Sequence, residues 1–190
     1  KNTSENKNVK ILIVNDKDEQ IPISQADAKY KRYIGNGAPK HFLSWSNNLT
    51  WRNFDLSVFF RGTFGFDVFN MRKYGMGLQG CGTDNVLRSA YLEDKNIRTG
   101  GGVISSYFLE DGSFIKLENV TLGYNFTPKN RKLLDNMRIY LSAKNLFTLT
   151  GYSGNDPSII DVNGIQPGVD SNSAYPTATQ LSLGVTLRFK

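Results

Sequence analysis

The chain has 190 residues, 12% of them aromatic, with 18 glycines, one cysteine and a formal charge of +6. Its mean hydropathy is −0.39, and no stretch approaches the roughly eighteen consecutive apolar residues of a membrane-crossing helix, which excludes helical spans and leaves β-barrels open. The cationic residues are spread along the chain rather than gathered in a stripe, which argues against nucleic-acid binding; Cys81 alone makes no internal disulfide and has no metal-ligand spacing around it.

The opening KNTSENKNVK has no apolar run behind its lysines, so a signal peptide is not expected there, and the chain is either unexported or a piece of something longer. Residues 1–41 read as a polar loop region in which only VKILIV looks strand-like. NDKDEQI (Asn15 to Ile21) faintly resembles a calcium loop, yet it has no glycine for the sharp turn and the wrong glutamate spacing. GNGAP (Gly35 to Pro39) holds turn residues without the third glycine of a dinucleotide fingerprint.

From there the chain alternates. A strand over about 42–52 sets Leu43, Trp45, Leu49 and Trp51 against Ser44, Ser46, Asn48 and Thr50. After a tight turn at Asn53, a second over 54–68 places Phe54, Leu56, Val58, Phe60, Phe64, Phe66 and Val68 on one face. Residues 70–111 form a long connection rich in glycine and charge, whose Gly100–Gly102 lack the lysine and hydroxyl of a phosphate loop. The strand 113–126 switches phase between Ile115, Leu117 and Val120, Leu122, Tyr124, Phe126, predicting a β-bulge near Glu118 and Asn119. A turn leads to the strand 137–150, a second long connection covers 151–178, and the strand 179–189 ends the pattern with Leu181, Leu183, Val185, Leu187 and Phe189.

Five strands of about the length that crosses a bilayer are thus joined by connections that run short, very long, short, very long. Outer-membrane barrels have that rhythm, with short periplasmic turns and long extracellular loops. Trp51, Phe54, Tyr124, Phe126 and Phe189 fall near the short-turn ends, where an interfacial aromatic girdle belongs. The main alternative is a secreted β-sandwich that binds glycans, with the apolar faces turned into a dry core. Catalysis is not expected: His41 has no nucleophile near it in sequence, and Glu110–Asp111 before Gly112 read as turn chemistry.

The stretches LEDGSFIKLENVTLGYNF, NLFTLTGYSGNDP and GVTLRF, supported by IGNGAPK and GFDVFN, resemble the C-terminal end of SusC/RagA-type TonB-dependent outer-membrane transporters, over about Tyr33 to Lys190. The resemblance implies an all-β, antiparallel transmembrane barrel, of which this chain is the last five or so strands; such barrels have 22 strands and a plugged lumen. By the same resemblance the plug would lie outside this chain. Also implied are the bacterial outer membrane as location and active import of glycans or peptides. The partners would be a SusD-like surface lipoprotein, the TonB–ExbB–ExbD complex acting through the missing N-terminal part, the remainder of the same barrel, and the lipid bilayer. A passive porin shares the barrel and lacks the plug. The extracellular loops, 70–111 and 151–178, are the natural recognition sites, which makes Tyr152, Asp156, Asn163, Asp170 and Tyr175 candidates for substrate or partner contact. Phe189 is the expected barrel-assembly signal, followed by Lys190. No cofactor or metal ion is expected. Leu181 to Phe189 would meet lipid on the odd positions, with Gln180, Ser182, Thr186 and Arg188 toward the lumen.

Overall fold

The structure, a computed structural model, describes residues 12–14, 20–22, 33–77, 85–88, 104, 106–128, 133–160, 165–171 and 175–190. Asn15–Glu19 of NDKDEQI, Cys81, Gly100–Gly102 and Asn163 lie outside these residues.

Among the described residues, ten strands form three sheets. The first two, β1 (Leu12–Val14) and β2 (Gln20–Pro22), pair as an antiparallel hairpin. The principal sheet holds β3 (His41–Trp51), β4 (Phe54–Phe64), β7 (Phe114–Phe126), β8 (Leu134–Thr150) and β10 (Gln180–Phe189) in the order β10-β8-β7-β4-β3, each neighbour antiparallel. The third sheet is small: β5 (Asp67–Asn70) lies between β6 (Leu109–Asp111), antiparallel, and β9 (Val169–Asp170), parallel.

Because cross-strand partners share a face, the register fixes what each face carries. Trp51 stands opposite Phe54, Phe54 opposite Tyr124, and Tyr124 opposite Ile139, which in turn meets Val185. One level up, Leu49, Leu56, Leu122, Leu141 and Leu183 form a row of five leucines, one from each strand. The opposite face carries Asp55, Ser57, Thr121, Asn125, Arg138, Ser142, Ser182 and Arg188, interrupted by Phe42, Phe59 and Phe114.

The phase switch in the middle strand is a bulge at Glu118. Between the same two levels β4 advances by one residue (Phe59 to Phe60), β7 by two (Leu117 to Asn119) and β8 by three (Lys144 to Phe147). On β8 the extra length includes Asn145, whose φ of 52° lies in the left-handed region that asparagine tolerates. Progressive slippage of this kind shears strands past one another and increases twist, as closure of a barrel demands.

The hairpin joining β3 and β4 has two turn residues, Arg52 and Asn53, with Arg52 at φ 54°. Both long connections, from β4 to β7 and from β8 to β10, leave the opposite end of the sheet. There the alternation expected to run through residue 68 stops at Phe64. Gly65, at φ 73°, turns the chain, and Phe66 and Val68 enter β5 and its surroundings rather than the apolar face of the main sheet. They are buried with Phe114, Tyr152 and Ile160 in the core of this end. The long connections also contain a short helix, α1 (Met71–Met76), capped by the Asn70 side chain, and 3-10 turns at Ser106–Phe108 and Pro157–Ile159.

Candidate functional site

The apolar face of the main sheet is open. Leu183 is 76% exposed and Trp51 67%, and the neighbouring Leu43, Trp45, Leu49, Leu141, Leu149, Leu181, Val185 and Phe189 are exposed as well. A sandwich would bury this face under a second sheet, whereas the small three-stranded sheet packs at the polar side of one end, through Phe114. The aromatic residues cluster at the short-turn end: Trp51, Phe54, Tyr124 and Phe126 lie on the exposed face, with the Phe54 and Tyr124 rings 4.9 Å apart. Arg52 in the turn lies over the Trp51 ring at 5.2 Å. No helix among the described residues is long and apolar enough to cross a membrane.

On the polar face, side chains bond to one another across the strands. Arg138 donates from Nε to Asp55 Oδ1 at 3.1 Å and from a terminal nitrogen to Oδ2 at 2.5 Å. Asn125 Nδ2 donates to Asp55 Oδ1 at 2.8 Å. Arg61 on β4 reaches the bulge residue Glu118 at 3.1 Å, and the Thr121 hydroxyl donates to Ser142 Oγ at 3.1 Å. Glycines make room for this: a Cβ on Gly184 would collide with the Tyr140 ring.

At the long-connection end, polar groups weld the two connections together. Glu110 of β6 accepts the Ser153 N–H and hydroxyl, both at 2.8 Å, and stands 3.3 Å from Lys73 Nζ. Burial alone would raise the Glu110 carboxyl, but the Ser153 bonds and Lys73 outweigh it and hold the group below its ordinary value. Asn70 both caps α1 and donates to Glu110 and Ser153, and Arg72 donates to Asn155 Oδ1 at 2.6 Å.

Of the residues expected to contact substrate or partner, Tyr152 is buried and donates its hydroxyl to Asp170 Oδ2 at 2.6 Å. That burial, with the carboxylate accepting the phenolic proton, pushes the Tyr152 hydroxyl well above its ordinary value. Asp156 is buried too: it caps the 3-10 turn by accepting the Ser158 N–H at 2.9 Å and pairs with Lys116 Nζ at 3.3 Å. Tyr152 and Asp170 therefore meet, while Asp156 belongs to a separate network. Tyr175 is 93% exposed, and Phe189 lies exposed on the apolar face at the end of β10. Sequence reasoning missed Lys116, Glu110 and Ser153 as organisers of this end. The one local signal was a lysine standing between Ile115 and Leu117 on the polar parity of its strand. Among the described residues no group of three or more His, Cys, Asp or Glu side chains is arranged to hold a metal ion.

No protein-family model matches the chain. It is 28% identical over 92% of its length to TonB-dependent receptor P3 of Formosa agariphila, covering 18% of that protein. It is 28% identical over 76% of its length to TonB-dependent receptor SusC of Bacteroides thetaiotaomicron, covering 14% of it. Among solved structures, the RagAB peptide importer superposes in its open-open state with a TM-score of 0.72 at 24% identity, over 95% of this chain and 21% of that one. Its closed-closed state gives 0.71 at 23% identity, over 92% and 20%. In sequence and in fold the chain resembles a SusC/RagA-type TonB-dependent transporter, and it spans between 14% and 21% of the length of these relatives.

Proposed function

We propose that this chain is the closing arc of an outer-membrane, TonB-dependent importer of the SusC/RagA type. The observation that carries this is the apolar face shared by five antiparallel strands, broken in mid-strand by Asn47 opposite Val58, and exposed while the opposite face pairs Asp55 with Arg138 and Arg61 with Glu118. Lipid is the solvent such a face fits. In hydrocarbon every backbone N–H and C=O needs a partner. Among the described residues β3 pairs only with β4 and β10 only with β8, so further strands of the same barrel, 22 in all by resemblance, must flank both. The short turns then face the periplasm and the long connections the cell exterior. Phe189 serves as the assembly signal of the last strand.

A plug and the TonB–ExbB–ExbD contact belong to other parts of the polypeptide, and a SusD-like lipoprotein covers the mouth. The cargo is an oligosaccharide or a peptide; the RagAB relatives, described as a peptide importer, favour the peptide. Tyr175 and Asp170, with Asn163 of the same stretch of sequence, are the contacts we assign to cargo or lipoprotein. Tyr152 and Asp156, buried and engaged, support that surface from beneath.

The test uses the full-length protein in its own bacterium. It should fractionate with the outer membrane, require detergent, and migrate differently on gels before and after boiling. Cells lacking it, or lacking TonB, should lose uptake of either a labelled peptide mixture or labelled oligosaccharides. A protein that stays soluble without detergent, or uptake indifferent to TonB, would sink the proposal.

A further inference from the structure

Lys116 projects from the polar face of β7 and is only 2% exposed. A buried ammonium is tolerated when its three N–H groups all find acceptors, and here they do. Nζ donates to Thr177 Oγ1 at 2.6 Å, to Ser158 Oγ at 2.8 Å and to Asp156 Oδ2 at 3.3 Å. These acceptors come from both ends of one connection: Asp156 and Ser158 follow soon after β8, and Thr177 lies shortly before β10. Thr177 closes the ring by donating its hydroxyl to Asp156 Oδ2 at 2.6 Å and its N–H to the same oxygen at 3.4 Å. Asp156 Oδ1 meanwhile takes the Ser158 N–H.

We infer that Lys116 is the positioning residue of the second long connection: it pins both ends to the barrel wall, closing a neck from which the intervening chain is presented. The effect extends beyond the neck. Gly168, within that connection, accepts the Phe69 N–H at 2.7 Å, and β9 pairs with β5. Loosening the neck therefore loosens the β5–β9 contact, while the Glu110–Ser153 and Arg72–Asn155 bonds go on joining the two connections. Simple loop-closure reasoning agrees, since ends held together remove the entropy that would otherwise oppose ordering what lies between them. The inference goes beyond the import reading, and its readout needs no cargo.

The experiment is hydrogen exchange on the full-length, detergent-solubilised protein, comparing Lys116→Met, Thr177→Val and the double variant. Each single variant should raise exchange about tenfold or more both at Ser158–Ile160 and at Phe69, through local opening. The double variant should exchange no faster than Lys116→Met alone, because both changes break one ring. A purely local contact would leave Phe69 unmoved, and that outcome, or additive effects, overturns the inference. If Lys116→Met does not insert into the membrane, Thr177→Val decides alone: it preserves shape and lies outside the strands.

Discussion

Arg138 of β8 and Asp55 of β4 meet in a two-pronged ion pair that crosses the strand between them, passing over Gly123 of β7. A Cβ at Gly123 would stand 2.5 Å from Asp55 Oδ1 and 2.7 Å from Arg138 Nε. The glycine is thus explained by its neighbours. The pair is about a third exposed, at 33% and 26%, so its worth is modest, on the order of 1 kcal/mol. Gly123→Ala should lower stability by about that amount, and by less in an Asp55→Ala background where the space is free. Urea titrations of the barrel in lipid, run as a double-mutant cycle, check this; equal effects in both backgrounds would disprove the link.

Leu141 sits mid-strand in the row shared with Leu122 and Leu183. If lipid is its solvent, Leu141→Arg should destabilise folding into bilayers by about 2 to 4 kcal/mol. Ser142→Arg, one residue along and facing the other way, should cost far less. Equilibrium folding into phospholipid vesicles measures both, and a reversal of the order would put the polar face against lipid.

The two tryptophans give a depth scale. Trp51 occupies the short-turn end of β3 and Trp45 lies six residues back on the same exposed face, roughly 20 Å along the strand at the usual rise. Single-tryptophan proteins in bilayers of brominated lipid should differ accordingly. Trp45 should be quenched best by bromines deep in the acyl chain and Trp51 by those near the headgroups. No quenching of either would mean that protein, and not lipid, covers this face.

The main sheet was legible because each strand keeps one solvent per face, so a period of two survives in the sequence from Leu43 to Phe189. Even the bulge at Glu118 declared itself, as a change of parity. Phe66 and Val68 misled for the same reason: they continue the parity of Phe64, and nothing in a period of two reveals that Gly65 has turned the chain into another sheet. The organising contacts of the long-connection end were invisible. Glu110 and Ser153 are 43 residues apart and Lys116 and Asp156 are 40 apart, and single polar side chains carry no period. Tyr152 and Asp156 stood out as loop residues, the usual place for recognition, yet Tyr152 is buried where the two connections meet and Asp156 where the second connection folds onto Lys116 of β7.

The Asp156 carboxyl supplies the last test. Its burial would raise it, but the hydrogen bonds from Ser158 and Thr177, with Lys116 beside it, outweigh that and bring it from an ordinary 3.8 down to about 2. A carboxyl depressed in the folded state contributes stability that is present above its unfolded value and lost as pH falls through the folded one. The neck around Lys116 should therefore hold unchanged from pH 8 to 5, weaken below about 4, and open as pH approaches 2. Protease nicking within residues 151–178 of the detergent-solubilised barrel, using an acid-active protease at the low end, follows the transition. Asp156→Asn should be nicked at neutral pH and show no further change on acidification, whereas a transition between pH 6 and 8 in the unaltered protein would show that some other group governs the connection.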